Sequence, residues 1–407
     1  MNVAGALAYM KKGLLNLVSI QLLFWFGWQF ACYQNVYFQD IGMTTSEIGI
    51  MSAMCSLVSL FASIMWGYIA DKMNSIKNAF ILDLIVTMAF LIVLPILPAH
   101  FQYASVMFIL FKALSSIGQG PLGTLIDNHA VRNCEQGGLN YGTVTAFRCV
   151  SGALGGLACT LVLGWIEIRY APWMAVAFMI PALACVFASN DPKSASQDKK
   201  KREKVRIRSV VSLFGDYYFS TFIIFTALFS LAHNAIMIFV PYLMADIGIA
   251  ENYYGTYLSS RTITAIPFLF IFGEIRKRMK LKNILILSCI LMGAESLLLG
   301  LVANNLVTFL LCAAVYGVGS GLFLGVTSLY IYKLTPDHLK ASAHNLYASS
   351  CVGVGIIGNL VGGVAYDSLG SSNFFLMLGS IMIGSAVIFL VTLVVGRLRR
   401  LENRADL

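Results

Sequence analysis

Charge is scarce in this chain. Asp, Glu, Lys and Arg make up 12% of its 407 residues while 58% are hydrophobic, which excludes a water-soluble domain of ordinary surface polarity. Metal and disulfide patterns are also missing. The nine Cys are scattered, mostly inside apolar stretches, with no C-x-x-C and no Cys/His cluster at ligand spacing. They read as small buried hydrophobes, and no metal site is expected. There is no nucleotide-binding loop and no credible nucleophile and base set. Gly-rich runs such as Gly317-Val318-Gly319-Ser320-Gly321 sit inside an apolar stretch, not after a strand. No enzyme and no cofactor is therefore read. A cleavable signal is not read either, because the first apolar stretch is too long for a signal-peptide core and no small-residue cleavage site is evident.

Long apolar stretches are abundant. About 20 apolar residues cross a bilayer as a helix, and twelve such spans are expected near 16–38, 46–70, 78–97, 101–127, 140–166, 171–189, 214–245, 253–272, 283–303, 305–332, 341–366 and 372–396. The fold class is thus an all-α membrane protein with twelve transmembrane helices in two six-helix bundles. Of the 28 Lys and Arg residues, all but Arg169, Lys112, Arg148 and Arg261 fall in the even-numbered connections and the two tails. Positive loops stay in the cytoplasm during insertion, so both termini are expected there, in a multi-pass protein of the cell (inner) membrane. The formal charge of +9 is accounted for by those loops and gives no support to nucleic-acid binding.

One long polar segment divides the chain. Residues 191–208 hold eight Lys/Arg and three acids and cannot enter the membrane. The expected organisation is a first bundle over 1–190, a basic cytoplasmic linker over 191–213, and a second bundle with a cytoplasmic tail over 214–407. The basic run at 199–204 reads as topogenic charge, with binding to anionic lipid as the functional alternative. The halves also repeat. Tyr37-Phe38-Gln39-Asp40-Ile41-Gly42 recurs as Tyr242-Leu243-Met244-Ala245-Asp246-Ile247-Gly248, and Gly49, Gly67 and Asn78 meet Gly255, Gly273 and Asn283 at offsets of 205 or 206. Such duplication marks secondary transporters.

Between spans 2 and 3 the chain reads Gly67-Tyr68-Ile69-Ala70-Asp71-Lys72-Met73-Asn74-Ser75-Ile76-Lys77. This resembles the loop signature G-x-x-x-D-[RK]-x-G-x-[RK]-[RK] of the major facilitator superfamily. Asn74 stands at the usual glycine and accepts left-handed turn geometry. The resemblance implies a cytoplasmic gate built from Gly67, Asp71, Lys72 and Lys77. In the second half the matching loop, Gly273-Glu274-Ile275-Arg276-Lys277-Arg278, has Lys277 at the acid's place.

Further residues resemble the lactose permease branch of that superfamily, the oligosaccharide:proton symporters and their uncharacterised bacterial relatives. They are Phe38-Gln39-Asp40-Ile41-Gly42, Ile48-Gly49-Ile50, Ser56-Leu57-Val58-Ser59-Leu60-Phe61, Leu125-Ile126-Asp127 ahead of Tyr141-Gly142, and Gly362-Gly363-Val364-Ala365-Tyr366-Asp367-Ser368-Leu369-Gly370. In that branch an acid near the cytoplasmic end of helix 4 and an arginine on helix 5 hold the sugar. The resemblance implies the acid's role for Asp127. Thr145 occupies the arginine's position, and Arg148, three residues on along the same helical face, stands in as the cation. The branch's acid on helix 8 and arginine on helix 9 have their signs exchanged here, as Arg261 and Glu295. Its His and Glu on helix 10 are absent around Tyr316 and Gly319.

Charges inside spans are expected in pairs, because an ionisable group in hydrocarbon is expensive and usually lines a pathway. Arg261 and Glu295 each lie 17 residues from Arg278, so antiparallel neighbours set them at one depth, about 18 Å from the loop. Asp127 and Arg148 are nearly symmetric about their own loop. Glu295, Arg261 and Lys112, the last about 16 Å into its helix, are the candidates for proton coupling, with a structural ion pair as the alternative for Glu295 and Arg261. Asp83, only about six residues into its span, is read as a loop-facing structural residue.

A sugar presents one apolar face and a ring of hydroxyls, so its site needs aromatic faces beside amides or carboxylates. Asp127, Arg148, Trp28, Gln29 and Tyr33 supply those types in the first half, and His233, Asn234, Asn345, Tyr347 and Asn359 in the second; each also fits plain helix packing. Gly152, Gly155 and Gly156 let helix 5 approach its neighbours closely. No proline adjoins Gly155-Gly156, which weighs against the drug-exporter signature of the superfamily. The expected activity is proton-coupled import of a small polar solute, a sugar or oligosaccharide, by a chain that works as a monomer among membrane lipid. The alternatives are a nucleoside permease, suggested by Phe26-Gly27-Trp28, a drug or metabolite exporter, and a non-transporting membrane sensor.

Overall fold

The computed structural model describes residues 3–99, 102–139, 141–191, 212–336 and 339–399. Among them the chain is helical throughout, without strands. The helices are α1 (Val3–Ala31), α2 (Gln34–Asp40), α3 (Thr45–Met73), α4 (Ile76–Val93), α5 (Ala104–Gly137), α6 (Tyr141–Val162), α7 (Ala171–Ala188), α8 (Tyr217–Asp246), α9 (Tyr254–Arg278), α10 (Leu281–Leu301), α11 (Leu306–Leu334), α12 (Lys340–Leu369) and α13 (Ser371–Leu398). They provide twelve segments long and apolar enough to cross a membrane, α1 and α2 together making the first. The basic run of the linker lies outside the described residues.

Local chemistry sets the helix ends. Ser75 caps α4 by accepting from the Asn78 amide at 3.0 Å, Asp216 does the same for Phe219 at the start of α8, and Asn305 forms a capping box with Thr308 on α11. The turn before α4 runs through Asn74 at φ 48°, the left-handed geometry expected of it. Several ends differ from the expected spans, α1 beginning at Val3 rather than near 16 and α6 ending at Val162 rather than near 166. The fourth was expected to stop at residue 127, yet α5 runs to Gly137 and ends at Gly138 with φ 62°. The eighth was expected to stop at 272, and α9 continues to Arg278. Hydropathy marks where a helix leaves apolar surroundings, whereas the helix itself ends where a left-handed residue or a backbone break allows.

Two compact units divide the chain. The first comprises 1–43, 54–201 and 251–259, and the second 44–53, 202–250 and 260–407. The start of α3 thus packs with the second unit and the start of α9 with the first. In the first unit α1 packs on α6 and α7, and α4 on α5 and α7. In the second, α8 packs on α12 and α13, and α10 on α11 and α13. Each half therefore uses the same pairing of its first, third, fourth, fifth and sixth spans, the spatial counterpart of the repeat in the sequence. Large apolar side chains such as Leu161 (70% exposed), Leu324 (65%) and Phe270 (73%) point outward. A surface of this kind is matched to lipid.

Candidate functional site

In the first unit a charged pair sits on the facing sides of α5 and α6. Arg148 Nη1 donates to Asp127 Oδ2 at 2.8 Å and Oδ1 at 3.0 Å, with the two side chains 35% and 36% exposed. The guanidinium carbon of Arg148 lies 3.9 Å from the centre of the Trp25 ring, a cation–π contact. Trp25 is held in turn by its indole N–H donating to Gln21 Oε1 at 2.8 Å. Trp28 meets Trp25 edge to face at 6.4 Å and stacks with Phe24 at 5.7 Å. A pair of opposite charge about one-third exposed, with an indole ring against its guanidinium, presents donors, acceptors and an apolar plane together.

Lys112 lies on α5 and forms no ion pair among the described residues. Its amine donates to Gln34 Oε1 at 2.8 Å and Gln119 Oε1 at 2.6 Å, and Gln34 is fixed by donating to the Ala31 carbonyl at 2.8 Å. Two other candidates of this unit are used in packing. Gln29 fills the groove opposite Gly155, where a Cβ would stand 2.9 Å from Gln29 Cγ. Tyr33 is fully buried, its hydroxyl donating to the Asn252 carbonyl at 2.5 Å and accepting from the Gly255 amide at 2.6 Å. Its oxygen is occupied by backbone groups.

The second unit holds the most enclosed charge pair. Arg261 Nη2 on α9 donates to Glu295 Oε2 on α10 at 3.2 Å, and the side chains are 5% and 0% exposed. The pair forms between the antiparallel neighbours that symmetry about their loop indicates. Four residues build around it. The guanidinium carbon of Arg261 is 3.3 Å from the centre of the Tyr316 ring on α11, and Arg261 Nη1 contacts Met237 Sδ on α8. His233 stacks on Tyr316 at 5.7 Å with 9° between the planes, its Nε2 3.5 Å from the Tyr316 hydroxyl. Phe229 in turn stacks with His233 at 5.7 Å. A continuous column therefore runs Phe229, His233, Tyr316, Arg261, Glu295.

The remaining second-unit candidates lie elsewhere. Asn234 faces Gly355 of α12, where a Cβ would come within 2.6 Å of its amide nitrogen. Asn359 is 3% exposed, Tyr347 packs at 5.9 Å on Phe222, and Asn345 is exposed.

The loop expected to be a gate is divided in its roles. Gly67, Asp71 and Lys72 are exposed, and no ion pair of Asp71 occurs among the described residues. Lys77 instead donates to the carbonyls of Phe187 and Ser189 at 2.8 and 2.6 Å, closing the C-terminal end of α7. Nearby, a cavity of about 470 Å³ is lined by amides including Asn16, Asn133 and Asn190; neither charge pair reaches it.

Sequence reasoning passed over several residues. Trp25 was hidden among the aromatics of α1, although its spacing from Gln21 is one helical turn. Tyr316 served only as a landmark, because nothing in the sequence reveals what its ring covers. Asp83, read as loop-facing, is in fact fully buried, as is Thr87 one turn on, because Gly118 of α5 lets that helix close over both side chains.

Comparison with known proteins agrees with this architecture. A family model described as the MFS_1 like family matches residues 15–377. The chain is 23% identical over 346 residues to the uncharacterized transporter YwbF of Bacillus subtilis (strain 168), covering 84% of this chain and 83% of that one. It is 23% identical over 361 residues to the maltose permease of Geobacillus stearothermophilus, covering 87% of each. Among solved structures, a mutant of the nucleoside transporter NupG superposes with a TM-score of 0.79 at 16% identity, covering 94% of this chain and 99% of that one. A family match over nearly the whole chain, twelve apolar helices and a shared fold lead to one conclusion: this is a multi-pass membrane protein, a secondary transporter of major facilitator type that belongs to the MFS_1 like family.

Proposed function

We propose that the chain imports a small polar solute of the sugar or oligosaccharide class, driven by protons, through alternating access of its two halves. It does so in the cell membrane with both termini in the cytoplasm. The observation that carries the coupling is the Arg261–Glu295 pair, with 0% of the glutamate exposed. A buried carboxylate is stable there only while Arg261 faces it. Protonating Glu295 frees the guanidinium, which stays supported by the Tyr316 face. Losing the proton restores the pair. His233, stacked on Tyr316, is the group placed to pass that proton. Such a pair has two stable arrangements that differ by one proton, as a symporter requires.

The solute is assigned to Asp127 and Arg148. A carboxylate and a guanidinium about one-third open to solvent offer a sugar paired acceptors and donors, and the Trp25 and Trp28 rings offer its apolar face a surface. The similarity to a maltose permease and the positive loops support the sugar class and the topology. A second reading, a nucleoside, is favoured by the same stacked aromatics on α1, because a nucleobase is flat.

The test is uptake of labelled maltose into energised cells expressing the protein, with and without a protonophore, followed by competition with unlabelled maltose or uridine. Accumulation that collapses with the protonophore supports the proposal. Equilibration indifferent to the protonophore overturns the coupling. Competition by uridine in place of maltose moves the solute to the second reading.

A further inference from the structure

Neither charge pair uses Asp83. It lies on α4 with 0% exposure, and both of its carboxylate oxygens are buried without a hydrogen-bond partner among the described residues. The hydroxyl of Thr87, one turn along the same face, is also 0% exposed and unpartnered. Opposite them on α5 is Gly118. A Cβ there would stand 2.6 Å from Thr87 Oγ1, 3.2 Å from the Thr87 amide nitrogen and 3.4 Å from Asp83 Oδ1.

Three neutralising partners are conceivable for such a carboxyl: a cationic side chain, a metal cation or a proton. Side chains are accounted for. On α5, Lys112 is bonded to Gln34 and Gln119, and Asp127 is held by Arg148 of α6. His129 pairs with Ser189 at 3.0 Å while its ring lies 5.8 Å from Phe80. Arg132 and Glu135 stand in the last turns of α5. α7 contains no Asp, Glu, Lys, Arg or His, and Lys77 on α4 itself is committed to the end of α7. A metal cation needs several oxygens at bonding distance and a space to occupy, and the approach of Gly118 leaves less than a methyl group. A proton needs neither.

We propose that Asp83 is a proton-binding site in the α4–α5 seam, separate from Arg261 and Glu295, and loaded as a neutral carboxylic acid in this conformation. An ionised carboxylate without donors in this seam is far more costly than the neutral acid. The neutral acid gains an O–H donor, and the Thr87 hydroxyl one turn away is a free acceptor on the same face. Gly118 is the positioning element: its missing side chain lets α5 seal the pair from water. The inference depends neither on the identity of the solute nor on the role of Glu295.

Leu82-Asp83 is the sole Leu-Asp dipeptide in the sequence, so the site can be observed in the unmutated chain. Protein labelled at the leucine carbonyl carbon and throughout aspartate gives one connected Leu–Asp signal by solid-state NMR in lipid bilayers. At pH about 7, where an ordinary aspartate is ionised, the carboxyl carbon of that residue is expected at the position of a protonated acid. A signal at the ionised position overturns the proposal. Because glutamate is unlabelled, the protonation of Glu295 does not enter the result, and failure of proton-driven uptake leaves this readout untouched.

Discussion

Arg261 meets Glu295 at 3.2 Å with 5% of the arginine and none of the glutamate exposed, so an ionised Glu295 is stable only while Arg261 faces it. Removing one partner leaves an uncompensated charge in the second unit, a loss of about 3 to 5 kcal/mol for buried pairs. Glu295→Gln and Arg261→Gln are each expected to lower the unfolding temperature in detergent. The double variant is expected to recover most of that loss, since two neutral amides can bond each other. A double variant as unstable as the sum of the singles would show that the two residues are not coupled.

The same residue separates coupling from binding. Glu295→Gln is expected to abolish accumulation of labelled solute while preserving exchange of labelled for unlabelled solute across the membrane, because the amide imitates the protonated acid. Full accumulation by this variant would remove Glu295 from the proton path.

The pair in the first unit is expected to behave in the opposite way. Asp127 and Arg148 are about one-third exposed, and an accessible pair of this kind contributes below about 1 kcal/mol to stability. Asp127→Asn and Arg148→Gln should therefore melt close to the unmutated protein yet lose solute uptake. Trp25→Ala should weaken uptake through apparent affinity, since it removes the ring beneath the guanidinium. Uptake at the unmutated level in Arg148→Gln would take the solute away from this pair.

How much of this was legible in the sequence follows from the physics of each signal. Twelve spans could be counted because hydrocarbon demands long uninterrupted apolar runs, and the ends of α5 and α9 were missed because polar residues continue a helix beyond the apolar layer. Arg261 and Glu295 could be matched because antiparallel helices joined by a short loop fix depth. The Asp127–Arg148 contact followed the same rule. The aromatic column through Tyr316 and His233 was not legible, because stacking across α8, α9 and α11 depends on helix rotation, which hydropathy does not encode. Tyr33 and Gln29 were chosen by residue type, and residue type does not tell which way a side chain faces. Asp83 was judged by its distance from the loop, when its burial depends on what packs against α4.

The turn at Asn74 tests whether backbone geometry or side-chain chemistry sets that position. Its φ of 48° costs an ordinary residue about 1 to 2 kcal/mol and costs glycine nothing. Asn74→Gly is expected to leave stability and uptake unchanged, whereas Asn74→Val should lower the unfolding temperature. A loss of uptake in Asn74→Gly at unchanged stability would instead assign the side chain a part in gating beside Asp71.

The last prediction concerns the close contact of Gly156 on α6 with the segment 251–259. A Cβ on Gly156 would stand 2.6 Å from the Gly255 carbonyl oxygen, and around this approach Ser259 donates to the Ala153 carbonyl at 2.7 Å while the Thr160 and Thr256 hydroxyls lie 2.8 Å apart. Cysteines placed at 160 and 256 are expected to join on mild oxidation. If the segment must part from α6 during each cycle, that link should stop uptake, and reductant should restore it. Adding Gly156→Val should abolish the cross-link, because the branched side chain occupies the space the two backbones share. Uptake that continues with the link fully formed would mean that α6 and the start of α9 travel together, and the moving boundary would then have to be sought elsewhere in the chain.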